Sequence, residues 1–311
     1  MRKILVTEPE YFTKRSLRLL SKVGQVEARR MSRRELLSAV RDVEVLVIRI
    51  DTKVDAPLLR RAKKLKCVVS ATTGLNHIDT VYLQKHRIPL FSLSGAHSVP
   101  TAEHAIALLF TAARRIPWAH THMARGLWER WEFIGMELTG KTLGIIGIGR
   151  IGTEVAKRAR ALGMRVIAYD PYLSKKEIHA RGGEKVSWRN VLQKSDVLSL
   201  HTPLTKETLG MIGKKDFSMM RHSLILINTA RGAIIQEAAL LSVLAKRQIY
   251  AAALDVYPEE PLAPSHALRK YAKTHNNLIL TPHIAASTHE AISRASLFAA
   301  NAVLHFFSVG I

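Results

Sequence analysis

Three glycines and one acidic residue have the most specific spacing in the chain. Gly147, Gly149 and Gly152 stand in the turn Gly147-Ile148-Gly149-Arg150-Ile151-Gly152. The turn follows an apolar run, Leu143 to Ile146, and opens an amphipathic run, Ile151 to Leu162. A second apolar run, Arg165 to Tyr169, ends on Asp170, eighteen positions past Gly152. Strand, glycine turn, helix and a strand ending on an acid is the layout that cradles a dinucleotide. Gly147 permits the tight turn, Gly149 lets backbone approach a pyrophosphate, and Gly152 lets helix and strand pack closely. The helix start, around Arg150 and Ile151, offers amide donors and a partial positive charge to the phosphates. Asp170 can accept from the ribose hydroxyls and would repel a 2′-phosphate, so the expected cofactor is NAD rather than NADP, a preference Arg150 could soften slightly.

The elements that must position these residues alternate. Strands are expected at Ile4 to Val6, Val45 to Ile50, Cys67 to Ala71 and Ile88 to Phe91, with helices at Tyr11 to Val23, Ser32 to Arg41 and Asp55 to Lys64. A long helix is expected from about Pro100 or Thr101 to Arg115, stopped before Pro117. An irregular piece, Trp118 to Leu138, holds three of the four tryptophans. Strands resume at Thr142 to Ile146, Arg165 to Tyr169, Val197 to Leu200, Leu224 to Asn228, Ala252 to Leu254 and Leu278 to Leu280, and a last helix runs from about Thr288 to Phe307. Alternation of this kind predicts an α/β chain with two doubly wound parallel-sheet units, Rossmann- or flavodoxin-like, and a ligand in the cleft between them.

Composition narrows the classes. The chain has 311 residues, 47% of them hydrophobic, enough for two packed cores. There is no apolar run of eighteen residues for a bilayer, and the opening MRKILVTEPE lacks the long apolar region of a secretory signal, so no membrane association and a cytoplasmic place are expected. The single cysteine, Cys67, excludes an internal disulfide and reads as a buried strand residue. His120 and His122 form the one tight histidine pair and have no acidic or cysteine neighbour, so no metal site is expected. The formal charge of +22 admits nucleic acid, an anionic surface or small anions. Its dense parts, Arg29 to Arg34 and Arg60 to Lys66, lack interleaved aromatics and read as solvated basic faces, so no nucleic-acid partner is expected.

Five further motifs, in order, make the chain resemble the D-isomer-specific 2-hydroxyacid dehydrogenases over nearly its whole length. They are Glu137-Leu138-Thr139-Gly140-Lys141-Thr142 entering the glycine turn, His201-Thr202-Pro203-Leu204-Thr205, Asn228-Thr229-Ala230-Arg231-Gly232, Leu254-Asp255-Val256 with Glu260-Pro261, and Thr281-Pro282-His283-Ile284. The resemblance implies a substrate domain of residues 1–98 and 286–311 around an NAD-binding Rossmann domain of residues 99–285. It makes His283 the catalytic histidine, Glu260 its acidic partner and Arg231 the grip on the substrate's carboxylate and carbonyl oxygen. Asp255 resembles the residue that orients the nicotinamide carboxamide, and Thr202, Pro203, Thr208, Thr229 and Ala230 join the cofactor's contacts. The loop Thr72-Thr73-Gly74-Leu75-Asn76-His77 resembles a second substrate contact, through the amides of Thr73 and Gly74. It also implies a homodimer through the 100–140 segment, whose aromatics suit an interface.

Keto-acid reduction asks for these residue types on its own terms. A proton must reach the carbonyl oxygen as hydride reaches carbon, and histidine is poised for that near neutral pH. A carboxylate at its far nitrogen fixes the tautomer and favours the protonated ring, and a guanidinium offers a planar fork to a carboxylate. Between Glu259 and Glu260, the Glu-Pro pattern favours Glu260. Within the family, Gly126-Leu127-Trp128-Glu129-Arg130 and Arg49 with Thr52-Lys53-Val54 resemble the branch that acts on D-3-phosphoglycerate, with Arg49 at the substrate phosphate. Asp51 beside Arg49 and Ser70, in place of an arginine, depart from that branch, so glyoxylate, hydroxypyruvate or another small keto acid stands as an equal alternative. A non-enzymatic, corepressor-like NAD-binding protein is the alternative of another class.

Overall fold

The computed structural model describes residues 2–93, 95 and 97–308. The chain forms two compact units, one of residues 1–97 and 287–311 and the other of residues 98–286.

The first unit is built on strands β1 (Lys3–Val6), β2 (Gln25–Ala28), β3 (Val45–Ile48), β4 (Cys67–Ser70) and β5 (Leu90–Ser92). All pairs are parallel and the order is β2-β1-β3-β4-β5. The chain winds both ways from β1 and β3, so the switch point, where ligands bind in such sheets, lies beyond the carboxyl ends of those two strands. Their register pairs Ile4 with Val45 and Val6 with Val47. Period-two alternation then gives each face its own core. Ile4, Val6, Val45, Val47, Cys67 and Val69 pack against Ala295, Ala299, Val303 and Phe306 of the helix His289–Ser308. Leu5, Leu46, Ile48 and Val68 pack against Leu36, Leu58 and Leu83 on the other side. Cys67 is buried in this core, and burial pushes its thiol up to about 12, which makes it inert.

The second unit holds β6 (Thr142–Ile146), β7 (Arg165–Tyr169), β8 (Glu184–Lys185), β9 (Val197–Leu200), β10 (Ile225–Asn228), β11 (Ala251–Leu254) and β12 (Leu278–Leu280). They form one parallel sheet in the order β12-β11-β10-β9-β6-β7-β8, which reverses direction between β9 and β6. The long helix Ser98–Ala113 covers one face, placing Ala102, Ala105, Leu108, Leu109 and Ala112 on Leu143, Ile145, Ile225 and Ile227. Its alanines keep it close to the strands. The opposite face buries Ile146, Leu198, Leu200, Leu226 and Leu254.

Several elements differ from the sequence expectation, each for a local reason. The long helix ends at Ala113, ahead of Pro117, and Pro117 lies in the first turn of another, Ile116–Ala124, which runs into the segment expected to be irregular. Arg115, at φ 55°, breaks the chain direction, and proline suits a first helical turn. A short 3-10 turn, Arg130–Phe133, follows. Strands β2 and β8 carry no apolar run in the sequence because they are polar edge strands, β8 only two residues long. The first helix is shorter than its amphipathic pattern, Lys14–Ser21, because Pro9–Tyr11 forms a separate 3-10 turn and Thr13 caps the helix through the amide of Ser16. The basic runs are partly neutralised at the surface. Arg29 pairs with Glu27 and Glu35, Arg30 with Glu10 and Asp51, and Arg33 with Asp55.

Candidate active site

Every strand of a parallel sheet ends on the same edge, so residues just past the strand ends are brought into one row. In the second unit β12 delivers His283, β11 delivers Asp255 and Glu260, and β10 delivers Thr229, Ala230 and Arg231. Next come Thr202 and Pro203 after β9, the glycine turn after β6, and Asp170 after β7.

The glycines differ in what surrounds them. Gly147 takes φ 85°, and a β-carbon there would lie 2.7 Å from Thr202 Cγ2 and 3.0 Å from the carbonyl of His201. At Gly152 a β-carbon would lie 2.5 Å from the carbonyl oxygen of Gly147 and 3.2 Å from Ile145, so the helix Arg150–Ala161 can approach β6 only without a side chain. At Gly149 a β-carbon would meet nothing within 4 Å. This glycine caps the helix without a side-chain bond, and the space beside it is open to a phosphate. Asp170 accepts from the amide of Ile148 at 3.2 Å and from that of Tyr172 at 3.1 Å, which fixes its carboxylate beside the turn. Arg181 donates to the carbonyl of Ile148 at 2.9 Å and holds the same loop.

Buried polar atoms mark the rest of the edge. Thr202 Oγ1, Thr229 Oγ1 and His201 Nδ1 have no hydrogen-bond partner among the described residues. Such atoms are costly unless a ligand satisfies them, so these residues fit a polar cofactor. His201 bonds Ser199 Oγ at 2.8 Å through Nε2, and burial pushes its pKa down to about 3, leaving a neutral ring. In the sequence His201 stands out only as part of a motif. Thr208 turns its hydroxyl inward instead, donating to the carbonyl of Pro203 at 2.7 Å and accepting from the amide of Thr205 at 2.8 Å, which closes the loop between β9 and the next segment.

Three neighbouring loops bring Arg231, Glu260 and His283 together. His283 Nδ1 lies 2.6 Å from Glu260 Oε2, and Glu260 Oε1 accepts from the amide of Tyr257 at 2.9 Å. Glu260, and not Glu259, therefore faces the ring, and Nε2 is the nitrogen left for other chemistry. The side chain of His283 is 26% exposed, enough to meet a ligand while staying fixed. Arg231 is held by a bond from Nη1 to the carbonyl of Ala230 at 2.6 Å. Burial lowers its pKa from the ordinary value and the nearby Glu260 charge works against that, so the guanidinium stays cationic in a poorly solvated place.

Neighbouring polar groups and one close backbone approach hold this trio. Asn228, fully buried, accepts from the amide of Ala230 at 3.0 Å and donates to the carbonyl of Arg231 at 2.9 Å, stapling the arginine loop. Gly232 lies so near the next loop that a β-carbon would stand 2.0 Å from the carbonyl carbon of Tyr257. Asp255 is fully buried. It accepts from Thr281 Oγ1 at 2.5 Å and from the amides of Ile284 and Ala285 at 3.0 and 2.8 Å, and His104 Nε2 stands 3.3 Å away. Burial works against its charged form, but these donors outweigh it and hold the carboxyl below the usual carboxylate range. Both oxygens thus hold the loop in which His283 adopts φ 54°. A polar residue ending an apolar strand was the available signal for Asn228, and none pointed to His104.

Arg49, Thr73 and Gly74 belong to the first unit. Arg49 follows β3 and is 6% exposed, with its guanidinium 4.2 Å over the ring of Tyr11. Its Nε and Nη1 are buried without a hydrogen-bond partner among the described residues. Asp51 does not share that position, because its carboxylate bonds Arg30 Nη2 at 2.7 Å on the surface. Past β4, Ser70 and Thr72 bond through their hydroxyls at 2.7 Å, and Thr72 donates to the carbonyl of Gly74 at 3.0 Å. This bends the loop so that the amides of Thr73 and Gly74 meet no acceptor among the described residues.

A glycine turn, an acid after the next strand and a histidine–carboxylate pair thus lie along one sheet edge. Residues 106–285 match the NAD-binding domain of the D-isomer specific 2-hydroxyacid dehydrogenases, and the chain belongs to that family. It is 44% identical over 295 residues to D-3-phosphoglycerate dehydrogenase of Archaeoglobus fulgidus, a match covering 93% of this chain and 54% of that protein. It is 38% identical over 273 residues to hydroxypyruvate reductase of Thermotoga maritima, covering 88% of each. The chain spans little more than half the length of the first curated relatives it matches. The crystal structure of D-lactate dehydrogenase from Aquifex aeolicus with NAD and lactic acid superposes with a TM-score of 0.88 at 26% identity, covering 99% of this chain and 96% of that one. Among the described residues no helix is long and apolar enough to cross a membrane, and no cluster of metal-ligating side chains occurs.

The glycines separate binding from folding in a testable way. Gly152→Ala should lower the thermal unfolding midpoint of the protein without NADH, through about 1–3 kcal/mol of overpacking. Gly149→Ala should leave that midpoint unchanged and raise the NADH dissociation constant about tenfold, or about 1.4 kcal/mol, in fluorescence titration. Equal loss of stability in both variants would contradict the open space beside Gly149.

Proposed function

We propose that this protein is an NAD-dependent D-2-hydroxyacid dehydrogenase, interconverting a 2-hydroxy acid and its 2-keto acid. The observation that carries this reading is the pair of His283 and Glu260 at 2.6 Å, next to the half-buried Arg231 on the sheet edge that also bears the glycine turn. Bound NADH would supply the hydride. His283 Nε2 donates the proton to the carbonyl oxygen in the direction of reduction and removes it in oxidation. Glu260 keeps Nδ1 protonated and balances the charge of the ring as it loads its proton. Arg231 binds the carboxylate and polarises the carbonyl oxygen. Gly147, Gly149, Arg150, Ile151 and Gly152 hold the pyrophosphate, Asp170 the adenosine ribose, and Thr202, Pro203, Thr208, Thr229, Ala230 and Asp255 line or shape the rest of the cofactor's place.

For the substrate we favour a phosphorylated acid, D-3-phosphoglycerate and its keto form. The support is Arg49, a buried guanidinium with two unsatisfied nitrogens, together with the outward turn of Asp51. The amides of Thr73 and Gly74 are the first unit's candidates for the carboxylate. Hydroxypyruvate or glyoxylate reduction is the second reading, favoured by Ser70, whose small hydroxyl is spent on Thr72 and offers no second cation. A homodimer through the 100–140 segment is part of the proposal, because Trp128 and Trp131 are 69% and 67% exposed and such area favours burial.

Four measurements test these statements. His283→Ala should lower the reduction rate about 10²- to 10⁴-fold, or about 3–5 kcal/mol in barrier, with the NADH dissociation constant unchanged. Glu260→Gln should move the falling limb of the pH–rate profile for reduction to lower pH, since the protonated ring loses its counter-charge. Full turnover in the first variant, or an unmoved limb in the second, would remove the assignment. In NADH-oxidation assays, phosphohydroxypyruvate should be preferred over hydroxypyruvate and glyoxylate, and equal kcat/KM for the three would favour the second reading. Light scattering should give twice the chain mass; a monomer would exclude the interface.

A further inference from the structure

We propose that Glu8 positions Arg49 for an anionic substrate group: its carboxylate fastens the loop after β3 and balances the guanidinium charge without pairing with it. The inference rests on the reading of Arg49 as the ligand of the substrate's distal anion.

Strands β1 and β3 are parallel neighbours and end side by side at the switch point of the first sheet. The ladder carries one step past β1, where the amide of Thr7 bonds the carbonyl of Val47 at 3.2 Å. Beyond that step the partner is a side chain. Glu8 Oε1 accepts from the amide of Arg49 at 3.0 Å and Oε2 from the amide of Asp51 at 3.2 Å. Thr52 Oγ1 donates to Oε1 at 2.8 Å and bonds Thr7 Oγ1 at 2.6 Å. The carboxylate, 1% exposed, thus ties down both residues that flank position 50, and with them the direction in which Arg49 leaves the backbone.

Charge gives the arrangement its second consequence. A buried guanidinium without a counter-charge is costly, and one in a direct ion pair has spent its donors. Burial lowers the pKa of Arg49, and the nearby Tyr11, Glu8, Asp51 and Glu10 work against that by favouring the charged form. Among them Glu8 is the one whose carboxylate also holds the arginine's own backbone amide. The oxygens of Glu8 are occupied by two amides and a hydroxyl, and no ion pair joins that acid to Arg49 among the described residues. Arg49 Nε and Nη1 consequently remain as donors for an incoming anion. Burial raises the pKa of Glu8, and the hydroxyl of Thr52 and the amides of Arg49 and Asp51 work against that by favouring the charged carboxylate.

The test compares KM values for phosphohydroxypyruvate and hydroxypyruvate, which differ by the phosphoryl group. Glu8→Gln, which replaces one acceptor with a donor and removes the charge, should raise KM for phosphohydroxypyruvate about tenfold with kcat within about twofold. KM for hydroxypyruvate and the NADH dissociation constant should stay unchanged. Thr52→Val, a milder loss of one donor to Glu8, should shift the same KM in the same direction by a smaller factor, and it decides the matter if Glu8→Gln does not fold. Arg49→Met is run alongside and should raise that KM more than either. A raised KM in Arg49→Met with unchanged values in the Glu8 and Thr52 variants overturns the inference alone. An unchanged KM in Arg49→Met overturns the reading of Arg49 and the inference with it. Equal rises for both substrates, or a fall in KM as simple repulsion by Glu8 would give, also overturn the inference.

Discussion

Where a parallel sheet stops, the backbone amides of the next few residues lose their ladder partners but are still buried, and each must find an acceptor. In this protein acidic and amide side chains supply it. Asp255, past β11, receives the amides of Ile284 and Ala285 past β12. Asp170, past β7, receives the amide of Ile148 past β6. Asn228 at the end of β10 receives the amide of Ala230, and Glu8, past β1, receives those of Arg49 and Asp51 past β3. The same device recurs in both units, each time under a residue proposed to touch substrate or cofactor. The loops of the site are therefore as well anchored as the strands that end there, which is what a proton donor and a carboxylate grip require.

Close backbone approach is the complementary constraint. Gly152 lets the helix Arg150–Ala161 sit against β6, and Gly232 lets the arginine loop pass within contact of the Tyr257 backbone. The loop that carries Arg231 and the loop that carries Glu260 are consequently in contact at the backbone. Tyr257 adds to this by donating from its hydroxyl to the carbonyls of Leu254 and Thr281, at 3.2 and 2.8 Å, so that the ends of β11 and β12 are tied as well. A side chain at either glycine would meet fixed backbone, with no flexible group to yield.

The large positive charge divides into two kinds. Some basic residues are surface arginines in exposed pairs such as Arg29 with Glu27 and Arg30 with Glu10 and Asp51, which contribute little to stability. Arg49 and Arg231 are different: the first is buried and the second half-buried, both have pKa values lowered by burial, and both stand near a glutamate whose oxygens are engaged elsewhere. Near Arg49, His97 is pushed down to about 4 by burial and by the charges of Arg49 and Arg294, so this part of the first unit carries its positive charge on guanidinium alone. The net charge of +22 is thus a poor guide to the site, and the few buried cations are a good one.

Local features were legible in the residues. Six of the seven strands of the second unit and four of the five in the first stand out as apolar runs, whereas β2 and β8 are polar edge strands whose pattern carries no burial signal. The helix after Pro117 was hidden because proline marks a helix start as well as a stop. The glycine turn, its acid eighteen residues on and the family motifs depend on residue type and spacing alone, since φ preference, strand period and helix amphipathicity are properties of neighbouring residues. What the tertiary structure decided is which charges meet. That Glu260 faces His283 across 23 positions, that Asp51 turns to Arg30, that Asp255 is saturated by donors and that Glu8 holds the Arg49 loop 41 positions away are matters of through-space distance and burial. A carboxylate reads the same in any sequence; the donors that surround it in the fold determine whether it binds, balances or braces.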